Sequence, residues 1–124
     1  MKFIADANPT FWWPVEIKRP DPEKSGAVLT ETFDMLFEMI SQDEALALDD
    51  ELAKAKTERD RTDLERSRIK RVCRDWREVI DEKSKPIPFS AEMLDRFIQF
   101  PWNRIGIYRA FAQAQTGEAR EKNS

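Results

Sequence analysis

Apolar and polar side chains alternate one by one through the first third of the chain, then switch to steps of three and four. Over residues 11–18, Phe11, Trp13, Val15 and Ile17 fall on one side and Trp12, Pro14, Glu16 and Lys18 on the other. That is the period of a half-buried strand. Pro14 has no amide donor, so the strand belongs at a sheet edge or a bulge. Residues 19–26, with two prolines and a Ser-Gly pair, read as a turn or loop. Alternation resumes over residues 27–40. Ala27, Leu29, Phe33, Met35, Phe37 and Met39 share one face, with Glu31 the exception, opposite Thr30, Thr32, Asp34 and Glu38. Leu29, Phe33, Leu36, Phe37 and Ile40 also fit a helical stripe, but the early β-branched and aromatic residues and the turn ahead of them favour a strand. The two segments then form an antiparallel hairpin over about residues 10–40. A two-stranded ribbon is marginal alone, so it must pack on the rest of the chain or pair with another copy.

From Ser41 the pattern is helical. Ser41-Gln-Asp-Glu44 has the form of a capping box, and Leu46, Leu48 and Leu52 follow. Residues 54–61 are almost wholly charged or polar, which predicts an exposed stretch or a break. Thr62-Asp-Leu-Glu65 is a second capping-box pattern. Beyond it Ile69, Val72, Cys73, Trp76, Val79 and Ile80 give the clearest amphipathic helix in the chain. Residues 81–89 form another proline-containing turn. Ser90 reads as an N-cap, with Leu94, Phe97 and Ile98 as the apolar stripe behind it. Pro101 ends or kinks that helix after Phe100. A last helix from about Trp102 presents Ile105, Tyr108 and Ala112, and Thr116-Gly117 is a plausible stop. The expected fold is α+β, a single domain over residues 1–117. It has an N-terminal antiparallel β-hairpin, a bundle of about four short helices over residues 42–116, and a flexible polar tail at 118–124.

Composition narrows the chemistry. The 124 residues include no His and one Cys. The commonest general base and metal ligand are therefore missing, a Ser-His-Asp triad is impossible, and a thiolate zinc site is ruled out. Cys73 is expected as a small apolar residue on a buried face. None of the three glycines sits in a phosphate-binding loop. Asp43, Asp49 and Asp50 lack the spacing of a calcium loop. No cofactor and no enzymatic activity are expected. The opening residues are too short an apolar stretch for a signal peptide, and no window approaches the length needed to span a bilayer. A soluble, intracellular protein is expected.

With 21 basic and 24 acidic side chains the net charge is −3, which argues against a dedicated nucleic-acid binder. The basic run from Arg66 to Arg77 is interleaved with Asp63, Glu65 and Asp75, and reads as a solvated face of paired charges. The alternative is a small DNA-contacting protein that uses this run. The aromatic load stands out: four Trp, eight Phe and one Tyr. Adjacent Phe11, Trp12 and Trp13 cannot all be buried in a two-stranded ribbon. Phe100 and Trp102 flank a helix break. These five are the candidate partner-binding residues.

The sequence from Trp76 through Pro86-Ile-Pro-Phe-Ser90 to Leu94 resembles a pattern in the tail assembly chaperones of long-tailed bacteriophages. There a Trp-bearing helix runs through a short acidic turn into a Pro and Phe-Ser segment capping the next helix. Ile98-Gln-Phe-Pro-Trp-Asn-Arg-Ile-Gly-Ile-Tyr-Arg-Ala-Phe111 is similar to that family's Pro-containing helix pair, and Thr116 to Asn123 and the early Pro-Val-Glu-Ile also fit. The resemblance covers most of the chain. It implies a non-enzymatic role: binding the tape measure protein and the tail tube protein before polymerisation, in the host cytoplasm, with absence from the mature virion. Many members also exist in a longer, frameshifted form. The competing expectation is a structural phage component, such as a head–tail connector or tail terminator ring, that stays in the particle.

Overall fold

A computed structural model describes residues 1–3, 5 and 8–117; the expected tail at 118–124 lies outside them. Strands β1 (Thr10–Pro20) and β2 (Val28–Glu38) form the antiparallel hairpin, paired from Thr10↔Glu38 to Pro20↔Val28. The strand reading of residues 27–40 holds. Side chains of Phe33, Met35 and Phe37 are buried while their neighbours point the other way. The turn between the strands closes with the Asp21 amide donating to Ala27 O and a left-handed Gly26.

The hairpin is not two-stranded. A third strand, β3 (Cys73–Arg77), pairs antiparallel with β2, giving the order β1-β2-β3. This corrects the long amphipathic helix expected through Trp76 and Ile80. Leu36 opposes Asp75 but Phe37 opposes Cys73, so Arg74 is an extra residue in a β-bulge. The bulge turns the strand's period of two into a step of three between the buried Cys73 and Trp76, which imitates a helix in the sequence. Ile80 is not core either: it is 55% exposed and bridges Pro86 across the turn.

The helices are α1 (Gln42–Ala53), α2 (Glu58–Val72), α3 (Ala91–Phe97) and α4 (Pro101–Gln115). Ser41 Oγ accepts from the Glu44 amide and Ser90 Oγ from the Met93 amide, as the caps predicted. The Glu44 carboxylate is bound by Arg71 through two bonds. The α2 cap is Thr57, whose hydroxyl accepts from the Asp60 amide, so Thr62 lies inside the helix. Only residues 54–57 break the charged stretch.

One core joins the sheet's inner face to the helices. Val15, Ile17, Phe33, Met35 and Phe37 meet Ile69, Val72, Leu94, Ile98, Ile107, Ala110 and Phe111. Trp76 sits in an aromatic cluster with Phe33, Phe89 and Phe97, and its indole N–H donates to Ile87 O at 2.8 Å. α4 lies close over β1, an edge strand as Pro14 predicted. Gly106 faces the Glu16 carbonyl, and a Cβ there would stand 2.6 Å from that oxygen. α4 buries Gly106, Ile107, Ala110 and Phe111, and leaves Ile105 and Tyr108, which the periodicity singled out, on its outer side.

Candidate partner-binding surface

Phe11 and Trp13 fall on the inner face with Val15 and Ile17, as their alternation requires. Both are half-buried against the core. Phe11 meets Trp13 edge-on at 6.4 Å and Phe37 at 5.9 Å. Among the described residues the buried Trp13 indole N–H has no hydrogen-bond acceptor. These two rings pack against the core while keeping part of their surface exposed. The covering helix α4 buries more of β1 than a bare ribbon could.

Trp12 points to the opposite, open face of the sheet and is 37% exposed. The Arg77 guanidinium lies over its ring at 4.2 Å while its Nε donates to Asp34 Oδ2 at 3.1 Å. The ring thus already has a cationic partner of its own.

Phe100 and Trp102 stand on the helical side, at the corner between α3 and α4. They are 55% and 37% exposed and stack nearly parallel, 6.4 Å apart at 14°. The sequence builds this corner from side chains of α4 that satisfy the last carbonyls of α3. Asn103 Nδ2 donates to Phe97 O and Arg104 Nη1 to Ile98 O, each at 3.0 Å. Pro101 opens α4, where a missing amide costs nothing. Trp102 also walls an open groove of about 460 Å³ with Ile17, Phe33, Ile80 and Phe97, and the paired Arg19 and Glu31 lie at its polar end. The five candidate residues therefore divide into three sites rather than one patch.

The basic run is internally compensated. Arg66 pairs with Asp63, Arg68 with Asp49, Lys70 with Asp95, Arg74 with Glu38 and Arg77 with Asp34. Arg71 holds Glu44 and also stands 3.2 Å from Glu38 Oε2. That last contact is an ion pair through Nη1, for which no well-aligned acceptor stands among the described residues. Most of these bonds tie α2 and β3 to other elements, where intrahelical pairs were expected. Arg74 and then Arg71 hold the Glu38 carboxyl below its ordinary range, partly offset by desolvation.

Cys73 is buried, and burial pushes its thiol well above the ordinary range. The thiolate is the reactive form, so folded protein at pH 8 is expected to resist iodoacetamide for hours, while urea-unfolded protein labels within minutes. Rapid labelling of the folded chain, read by mass spectrometry, would contradict this placement.

Among the described residues no helix is long and apolar enough to cross a membrane, and no group of three or more His, Cys, Asp or Glu could hold a metal ion. No protein-family model matches the chain, and no significant match was found among curated proteins or solved structures.

Proposed function

We propose that this chain is a non-enzymatic phage tail assembly chaperone. On this reading it covers apolar surface on the tape measure protein and the tail tube subunit until they assemble. It works in the cytoplasm of the bacterial host and stays out of the finished virion. The observation that carries the reading is the Phe100–Trp102 stack, held outward at a corner locked by Asn103 and Arg104. Two rigid, solvent-facing rings are ready-made anchors, since aromatic hot spots supply roughly 2 kcal/mol or more each. No ordering cost remains for a corner already fixed. The mixed-charge surface around it keeps the complex in solution.

The test is co-expression with a tape measure protein and a tail tube protein from the phage or prophage that carries the gene. Affinity capture of this chain is expected to retain one or both. The Phe100→Ser variant is expected to lose at least ten-fold in retention while melting within a few degrees of the parent, because Phe100 is 55% exposed. Failure to capture either protein overturns the reading. So does stoichiometric recovery of this chain from purified particles, which would make it a virion component.

A further inference from the structure

Among the described helices α1 alone has no buried residue. α2 buries Ile69 and Val72, α3 buries Leu94, and α4 buries Gly106, Ile107, Ala110 and Phe111; none of the 12 residues of α1 is buried. Its inward side is Ala45, Leu48 and Leu52, each only half-buried. The seat beneath it is loose. A gap of about 50 Å³ stays between Leu48 and Leu52 of α1, Leu64 and Arg68 of α2, and Tyr108 of α4. A wider groove of about 410 Å³ opens beside it, with Ala55 and Leu64 in its wall.

Charge ties α1 down at two points. Arg71 holds Glu44 at 2.8 Å, and Arg68 holds Asp49 at 2.6 Å. The second pair works against the helix's own electrostatics. Asp49, Asp50 and Glu51 stand towards the C-terminal end of α1, where the helix dipole is negative and the last turn has no basic residue. The Asp49 charge is therefore unfavourable within α1 and becomes favourable only through Arg68 on another helix. Both ends of α1 meet non-helical chain, at Ser41 behind the buried Ile40 and at residues 54–57.

An element with few buried apolar side chains opens before the rest of a fold. We propose that α1 is a lid. It releases from α2 and α4 as one unit while the sheet and the other three helices stay folded, and the Asp49–Arg68 and Glu44–Arg71 pairs are its latches. Release bares Leu64, the inner sides of Leu48 and Leu52 and the covered flank of Tyr108, and frees Arg68 beside them. The lid does not depend on the chaperone reading, which stands or falls by capture of its partners.

The experiment is hydrogen exchange of the whole chain at pH 7, read by mass spectrometry on overlapping peptides. Amides of residues 45–53 are expected to exchange together, at least about 100-fold faster than those of β2 and α4, yet more slowly than in an unstructured chain. Asp49→Asn leaves helix propensity almost unchanged and relieves the conflict with the dipole. It is nevertheless expected to speed α1 exchange about three-fold, the scale of one exposed ion pair, with β2 and α4 unchanged. Adding Arg68→Gln to that variant is expected to change nothing further. Slower exchange in Asp49→Asn overturns the proposal, because α1 would then be governed by its own charges. Exchange of α1 no slower than an unstructured chain, or no faster than β2, overturns it too. So does a rise graded from Ala53 inwards, which is fraying, or α2 amides 61–68 speeding up with α1 in Asp49→Asn, which would make the two helices a single unit.

Discussion

Gly106→Val is expected to destabilise the protein by at least about 3 kcal/mol, the upper range for overpacking a tight contact. Valine would put its Cβ 2.6 Å from both the Glu16 carbonyl oxygen and the Ile17 Cδ1. The side-chain methyl can rotate away, but the carbonyl belongs to the β1 backbone and is held by the sheet. α4 must therefore lift off β1, which also loosens Ile107, Ala110 and Phe111. Gly106→Ala gives the sharper test of sign. Helix propensity alone favours alanine by roughly 1 kcal/mol. The contact is short enough that the alanine variant is expected to be less stable than the parent all the same. For a chain this long about 1 kcal/mol corresponds to roughly 3–5 °C in melting temperature, so Gly106→Val should melt more than about 10 °C lower. An alanine variant that melts higher than the parent would mean α4 does not lie this close to β1.

Phe37→Ala is expected to cost about 3–5 kcal/mol, the usual price of emptying a large aromatic site. Phe37 is fully buried near the middle of the core and meets Phe111 edge-on at 5.2 Å as well as Phe11. It connects β2, β1 and α4, so neighbouring rings cannot collapse into the gap without moving an element. A domain of ordinary stability has about 5–15 kcal/mol to lose, and the variant should unfold at a much lower urea midpoint. Phe37→Leu keeps most of the volume and should lose under half as much. Equal losses for the two variants would show that the cavity is not the cause.

Most of this architecture was legible in the sequence because its signals are local. Strict alternation placed the hairpin and its buried face. Ser41 and Ser90 announced two helices through their own hydroxyls, and Pro14 announced an edge. What misled was non-local. β3 was hidden because one extra residue, Arg74, changes the spacing of its buried positions to that of a helix. Strand pairing over 36 or more residues leaves no mark near Trp76. The inner face of α4 was not legible, because the helix carries two interleaved apolar stripes, and nothing in its own residues says which meets the sheet. Only Gly106 hinted at the answer, as a small residue where backbones approach. The candidate site was half legible for the same reason. Trp12, Phe100 and Trp102 are exposed, while Phe11 and Trp13 pack against a core that α4, lying over β1, completes.

Sheets with bare borders invite foreign strands, and proteins block them in recognisable ways. Here each border is obstructed by different means. A strand approaching along β1 would find no amide at Pro14 and a helix lying over the Glu16 carbonyl. On the far side β3 offers only five kinked residues, and the Asp75 carboxylate already occupies the Trp76 amide at 2.8 Å. The molecule can thus display greasy rings at its helical corner without its sheet recruiting neighbours into fibres.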